Sequence, residues 1–284
     1  MAHVSPSLLF GQQQEVNNMK SLLQRIRVLL YDKPKFAIRG YRYKNSLDPY
    51  EIQYIRQLLK PGDVAIDIGA HKGGYTYWML KSVGKSGLVI SIEPQPAVYK
   101  YLAELATDLG NRNNLVFNYA MSDTTRDGYI TVPGERGHIS QGARIDTHGL
   151  IKGRHHKISV KFKTVDDLIQ ETGVTPSLIK VDVEGHELNV FKGALNTLEK
   201  IRPFFVFECE DRHLSSIGIH EVFRFFEPFD YSGYFYFEGR KYPIDEFDVD
   251  RYQTSLVRSG KKLDTSYINN FIFEPNPVAA KAVV

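Results

Sequence analysis

Short apolar runs alternate with segments of helical spacing along most of this chain. Val64–Ile68, Leu88–Ile92, Leu115–Ala120, the residues leading into Asp182, and Phe204–Cys209 each have the length of a buried parallel strand. Helical patterns fall between them, over 74–83, about 97–109, about 187–199 and 219–227. In the last turn-rich gap before the fourth strand, Thr164 is placed to cap a helix beginning at Val165. Upstream, Asp48-Pro49 reads as an N-cap followed by proline at the first helical position, and Pro61-Gly62 ends that helix before the first strand. Val16, Met19, Leu22, Leu23, Ile26 and Leu30 make 15–31 an amphipathic helix, read first as a packing helix, preceded by a loose polar arm over 1–13.

Two stretches break the alternation. Residues 124–163 are rich in Gly, His, Arg and Thr, with β-like pieces at Tyr129–Val132 and Ile158–Phe162. An insertion of this length at a strand's carboxyl edge suits a substrate lid. Near the end, Tyr234–Phe237 and Ile268–Phe273 read as strands without a strong helix between them, with Glu238–Lys241 as a turn. They predict an antiparallel hairpin at the sheet edge, and 275–284 reads as a disordered tail. The expected organisation is therefore an arm and helix over 1–47, one domain over 48–274, and the tail. Five strand–helix units make an open, doubly wound α/β sheet.

The densest stretch is Asp63–Thr76, DVAIDIGAHKGGYT. A buried strand, a glycine turn and a helix start form a nucleotide pocket, because the turn brings backbone close and the helix end offers free N–H groups. The spacing is Asp-x-Gly-x-x-x-Gly. His71 stands where a dinucleotide fingerprint needs glycine, which argues against NAD and for a smaller anionic group, such as the carboxylate of S-adenosylmethionine (SAM). Glu93 ends the second strand about 20 residues on, where a carboxylate reads ribose hydroxyls. Met121-Ser122-Asp123 ends the third and could face a base.

The second dense stretch is Lys180-Val181-Asp182-Val183-Glu184-Gly185-His186-Glu187. Three ionisable side chains, Asp182, Glu184 and His186, at one strand end exceed what a turn requires. Glu187 reads separately as a first-turn acid favoured by the helix dipole. Strand ends carry ligands in such sheets, so Gly69, Glu93, Asp123, Asp182 and Glu208 fall along one edge.

Composition narrows the picture. The chain has 284 residues, 42% hydrophobic and 24% charged, with net charge +3, too small to argue for a nucleic-acid surface. No Asn/Asp-Pro-Pro-Tyr/Phe motif for base-amine chemistry is present. The single Cys209 excludes an internal disulfide and a multi-cysteine zinc site, and reads as a buried thiol. His138, His148, His155 and His156 show no metal-ligand spacing. No apolar run approaches a membrane span and no signal core is seen, so a cytoplasmic protein is the default expectation.

The segments DIGAHKGGYT, SIEPQP, AMSD, TVDDL and IKVDVEGHELNVFKGA resemble the FkbM family of SAM-dependent methyltransferases, over roughly 50–210. His71 departs from the family, which more often carries Asn there. The resemblance implies a Rossmann-like class I methyltransferase fold: a seven-stranded, mostly parallel sheet with a reversed C-terminal hairpin and helices on both faces. It implies methyl transfer from SAM to a hydroxyl, commonly on a sugar, a glycan or a polyketide-type natural product. By that analogy Asp67, Gly69 and Gly73 hold the amino-acid end of SAM, Glu93 holds the ribose, Ser122 and Asp123 lie near the adenine, and His71, Tyr75, Thr76 and Asp182 complete the cofactor-binding set.

Two mechanisms stay open at this point. His186 titrates near neutrality and is the first candidate base, with Asp182 or Glu184 orienting it or taking the proton directly. Alternatively, Asp182 and Glu208, with Glu184 or Glu210, could gather around Mg²⁺ or Ca²⁺, which would orient the acceptor and lower its pKa. The rival classes are a non-catalytic SAM-fold protein binding a partner through 124–163, and an NAD-dependent oxidoreductase. The 15–31 helix and the edge hairpin are surfaces available for a homo-oligomer.

Overall fold

The computed structural model describes Met19, Leu22, Leu23 and residues 26–135, 137, 139–140, 142–145, 153–214, 217–258 and 266–277. The arm 1–13, part of the 15–31 helix, His138, His148 and the tail from 278 lie outside the described residues.

The strands are β1 (Val64–Ile68), β2 (Leu88–Ile92), β3 (Asn114–Phe117), β4 (Tyr119–Met121), β5 (Arg126–Pro133), β6 (His155–Lys163), β7 (Leu178–Val181), β8 (Phe204–Glu208), β9 (Tyr231–Phe237), β10 (Arg240–Pro243) and β11 (Asn270–Pro275). The main sheet runs β10-β9-β11-β8-β7-β1-β2-β3. Strands β1, β2, β3, β7 and β8 are parallel, and β11 is antiparallel to both β8 and β9. This is the expected sheet with its reversed C-terminal pair. The strand count differs by one: Arg240–Pro243, read as part of a turn, pairs with β9 as an eighth, edge strand. Glu238-Gly239 makes the tight reversal, both residues at positive φ, so the chain folds back at once and zips.

Period-two alternation divides the parallel strands between two cores. Ile66, Ile90, Ile179, Phe205 and Phe207 face one side, with Phe191, Val222 and Phe226 from the crossover helices. Ala65, Val89, Leu178 and Val206 face the other, with Ile52, Ile55, Met79 and Val83. Phe207 is fully buried and within ring contact of Phe191, Phe226, Phe271 and Phe273. Truncating it to alanine would cost about 3–5 kcal/mol. Cys209 is a buried free thiol, as expected.

The helices that frame the site are α1 (Lys33–Arg42), α2 (Pro49–Leu58), α3 (Gly74–Val83), α4 (Pro96–Asp108), α5 (Val165–Thr172), α6 (Glu187–Lys192) and α7 (Ile219–Arg224). Thr164 caps α5 by accepting from the Asp167 N–H at 3.0 Å. Helix α6 is shorter than the predicted 187–199, because Gly193 ends it and a separate helical turn follows at Thr197–Ile201. Asp48 stands at the N-cap position of α2, yet its side chain makes no cap hydrogen bond. It accepts from Asn270 Nδ2 at 3.3 Å instead, turned toward the sheet edge.

Two segments differ from the sequence expectation. Residues 33–47, read within the N-terminal arm, continue as helix and pack on α3: Phe36 is buried, and Trp78 Nε1 donates to the Gly40 carbonyl at 2.7 Å. A side chain at Gly40 would overlap Tyr77. Upstream, Met19, Leu22, Leu23, Ile26, Leu29 and Leu30 are exposed and only Val28 is buried, so these apolar positions do not pack on the domain. The expected strand 115–120 is two strands. Asn118 breaks it by donating its side-chain N–H groups to the Glu93 and Pro94 carbonyls at 2.8 and 3.0 Å. Beyond that break, β4 joins β6 and β5 in a separate three-stranded sheet, order β4-β6-β5. The described residues of 124–163 thus form a β-structured cover with its own small core around Ile130, Val132, Val160 and Phe162.

Candidate active site

The carboxyl ends of the parallel strands open into a cavity of about 560 Å³, bounded by the β1 turn, the β2 and β7 ends, residues 39–48 and the 143–145 segment of the cover. Asp67, Gly69, His71, Tyr75, Glu93, Asp182, Glu184, His186 and Glu208 all line it. Gly73, Thr76, Ser122, Asp123 and Glu210, also singled out from the sequence, are not among its lining residues.

The β1 turn is built by its glycines. Gly69 has φ 76°, and a Cβ there would sit 1.8 Å from the Asp182 carbonyl oxygen. Asp182 N–H donates to the Ile68 carbonyl at 3.0 Å, so the β7 end is drawn against this turn. What the missing side chain admits is therefore the neighbouring strand. Gly73, at φ 82°, gives way in the same manner to Phe36. His71 is held at φ 45°, and its backbone N–H donates to Glu93 Oε2 at 2.9 Å. Burial holds its imidazole down to about 4, so the ring is neutral.

Asp67 is fully buried. Thr76 Oγ1 donates to its Oδ2 at 2.6 Å, while Oδ1 has no hydrogen-bond partner and lies 4.0 Å from Lys180 Nζ. A buried acceptor without a donor is costly unless a ligand completes it. Lys180 is itself buried and donates to Asp182 Oδ2 at 2.9 Å. Burial opposes its charge, but the Asp182 and Asp67 carboxylates more than offset that and keep it protonated.

Glu93 is buried, and burial pushes its carboxyl up to about 7. Its Oε1 accepts from the Gln95 backbone at 2.9 Å and the Gln95 amide at 3.3 Å; its Oε2 accepts from His71. A carboxylate has roughly four acceptor sites, so capacity remains for a hydroxyl. Gln95 also reaches the cover, giving Nε2–H to the Ser140 carbonyl at 2.9 Å and receiving the Ser140 N–H at 3.1 Å. Sequence reasoning passed over Gln95 and Asn118, since amides leave no periodic signal.

The β7 end is chemically richer. Glu184 adopts φ 57°, a left-handed conformation that costs of order 1–3 kcal/mol outside glycine. Its Oε2 lies 3.2 Å from His213 Nδ1. Gly185, at φ 94°, makes room for the His213 carbonyl, which would lie 2.5 Å from any Cβ. Burial first, then the charges of Asp182 and Glu210, push Glu184 up to about 8. His213 is the residue the sequence reading missed; only the tertiary fold brings it from the loop after β8 to the β7 end. His186 lies elsewhere in the wall: its Nε2 is 2.9 Å from Ser122 Oγ, whose hydroxyl donates to Asp123 Oδ1 at 3.0 Å. Burial lowers its imidazole to about 4.

The carboxylates named for a metal, Glu184 beside His213 included, are each engaged separately. Asp182 is bound by Lys180, Glu208 accepts from Asn269 Nδ2 at 2.9 Å, and Glu210 is held by Arg212 at 2.5 Å and by the Tyr267 hydroxyl. Among the described residues no group of three His, Cys, Asp or Glu side chains is gathered to share an ion. No helix among them is long and apolar enough to cross a membrane.

Residues 67–236 match the methyltransferase FkbM domain family. A hexuronic acid methyltransferase, AglP of Haloferax volcanii, is 29% identical over 157 residues, 53% of this chain; the chain spans 59% of that protein's length. A ribosomal RNA large subunit methyltransferase E of Francisella tularensis subsp. novicida is 39% identical over 54 residues, 19% of this chain and 26% of that protein. Among solved structures, methyltransferase FkbM from Methylobacillus flagellatus KT aligns over 78% of this chain and 50% of its own, at 16% identity and TM-score 0.47.

Proposed function

The chain belongs to the FkbM methyltransferase family, and on that premise we propose that it transfers a methyl group from SAM to a hydroxyl of a sugar or glycan. A polyketide-type hydroxyl is the second acceptor class; the likeness to a hexuronic acid methyltransferase favours the sugar. The observation that carries the cofactor assignment is the buried, donor-free Asp67 Oδ1 in the wall of a cavity whose next strand end presents Glu93. That spacing suits an ammonium group at Asp67 and ribose hydroxyls at Glu93, with Ala120, Met121 and Ile130 as an apolar wall for a base.

When bound, SAM supplies a methyl group already activated by its sulfonium. The protein's tasks are then to hold the acceptor in line, exclude water and remove one proton. We assign the proton to Glu184. It lines the cavity, is held in a strained backbone conformation, and is oriented by His213 at 3.2 Å. A carboxyl raised to about 8 is a stronger base once ionised than an ordinary glutamate. His186, neutral and bonded to Ser122, fits a role in holding the Ser122–Asp123 loop. The Lys180–Asp182 pair keeps a fixed charge distribution beneath the reacting groups.

Calorimetric titration with SAM and separately with NAD⁺, each with and without EDTA, tests the cofactor. Saturable SAM binding without NAD⁺ binding is expected. A folded protein that binds no SAM would overturn the proposal and favour a partner-binding role for the 124–163 cover.

A further inference from the structure

The cover contributes one cation to the cavity whose hydrogen bonding is incomplete. Arg144 lies on the 142–145 segment, and its backbone is clamped to β5 in both directions: Thr131 N–H donates to the Arg144 carbonyl at 2.8 Å and Arg144 N–H to the Thr131 carbonyl at 3.0 Å. The side chain lines the cavity, and its Nε is buried with no hydrogen-bond partner. A guanidinium stays charged at every accessible pH, so this donor is neither titrated away nor solvated, and leaving it empty is costly.

The position of Arg144 decides what it can meet. It lines the same cavity as Glu184, and its positive charge is felt by both Glu184 and His213. Glu184 does not complete it: its Oε2 lies against His213 Nδ1, and neither of its oxygens is hydrogen-bonded to Arg144 Nε. Of the other cations that line the cavity, Lys180 is bound by Asp182 and close to Asp67, Arg39 donates to the Lys72 carbonyl and the Tyr101 hydroxyl, and Arg42 and Lys72 make no ion pair among the described residues. A neutral acceptor would leave the Arg144 Nε–H dry. A carboxylate accepts from the edge of a guanidinium in a planar, paired geometry.

We propose that the acceptor is an acidic sugar, with its carboxylate received by Arg144 while a ring hydroxyl reaches Glu184. This rests on the methyl-transfer reading above and adds the chemical class of the acceptor. Exposed Arg42 on the opposite rim would draw such an anion in without binding it closely. Arginine is suited to the task and lysine is not, since only the fork offers two parallel donors.

The test uses the full chain loaded with S-adenosylhomocysteine. Methyl glucuronide, methyl glucoside and glucose 6-phosphate are titrated against it by calorimetry, in the parent and in Arg144→Gln and Arg144→Lys. The glucuronide is expected to bind about tenfold more tightly than the glucoside. Arg144→Gln should abolish that ratio, and Arg144→Lys should retain only part of it, about threefold, with S-adenosylhomocysteine affinity held within about twofold. Equal affinity for glucuronide and glucoside in the parent, or a preference that survives Arg144→Gln, would overturn the proposal. Tighter binding of the phosphate would overturn the carboxylate assignment. Failure of the parent to bind S-adenosylhomocysteine would instead remove the methyl-transfer reading, and this inference with it.

Discussion

The loops after β1 and β7 are built alike and are chemically opposite. Each leaves a parallel strand, passes a non-glycine residue at positive φ (His71 at 45°, Glu184 at 57°), and needs a glycine because another backbone occupies the Cβ position. The β1 loop, residues 69–73, carries no carboxyl group, and its one charged side chain is Lys72. His71 contributes its backbone N–H, and its ring is neutral. The β7 loop ends in carboxyl groups, one of them pushed up to about 8 and backed by His213. On the function proposed above, the same local geometry serves binding in one place and proton transfer in the other. What differs is the side chain placed on the strained residue and the company it is buried with.

The largest effect that would break this parallel is at the glycines. Gly69→Ala puts a methyl within van der Waals overlap of the Asp182 backbone, and should cost more than about 3 kcal/mol or prevent folding. Gly185→Ala meets the His213 carbonyl from a loop and should cost less. Denaturant unfolding of the two variants checks the order; equal small losses would show that neither loop depends on the close approach.

Separating binding from chemistry comes next. Glu184→Gln should lower kcat about 100-fold or more with SAM affinity kept, whereas Glu93→Ala should weaken SAM binding about tenfold. His186→Gln should lower kcat less than Glu184→Gln; the reverse order would make His186 the base. With Glu184 as base, kcat/KM should rise with pH toward a plateau above about 8, and His213→Gln should move that midpoint. An unmoved midpoint would leave His213 a structural contact.

The smallest expected effect concerns stability. Glu51 is buried, and burial first, then the charge of nearby Asp48, pushes its carboxyl up to about 8. Between pH 4.5 and 8 the unfolded chain ionises this group while the fold keeps its proton. Folding therefore becomes less favourable as pH rises through that window, and Glu93 and Glu187, both pushed up to about 7, act in the same direction. Thermal unfolding of the protein alone should show a falling midpoint from pH 5 to 8. Glu51→Gln should flatten that slope and add about 1 kcal/mol at pH 8.

Much of the sheet was legible because parallel strands buried on both faces read as short apolar runs, and because Pro61-Gly62 and Thr164 punctuate the elements between them. The Val64–Ile68, Leu88–Ile92 and Phe204–Glu208 strands stand where those runs predict. The edge strand Arg240–Pro243 was not legible: its residues are largely exposed, and the single ring it turns inward, Tyr242 against Phe235, makes no alternation. The break at Asn118 was hidden as well, since one amide bonding two carbonyls leaves no trace in hydrophobic periodicity.

For the site, the sequence alone determined which strand ends line the cavity, because Glu93, Asp182 and Glu184 follow an apolar run and Asp67 interrupts one near its end, each with a residue type that a polar ligand requires. It determined the family too, through motifs whose spacing is local. Only the tertiary structure decided the pairings. His213 reaches Glu184, Gln95 reaches Ser140, Arg144 enters from the cover, and residues 39–48 close the opposite wall. These contacts join segments tens to more than a hundred residues apart. Their partners are chosen by which surfaces pack together, a property that no short-range pattern encodes.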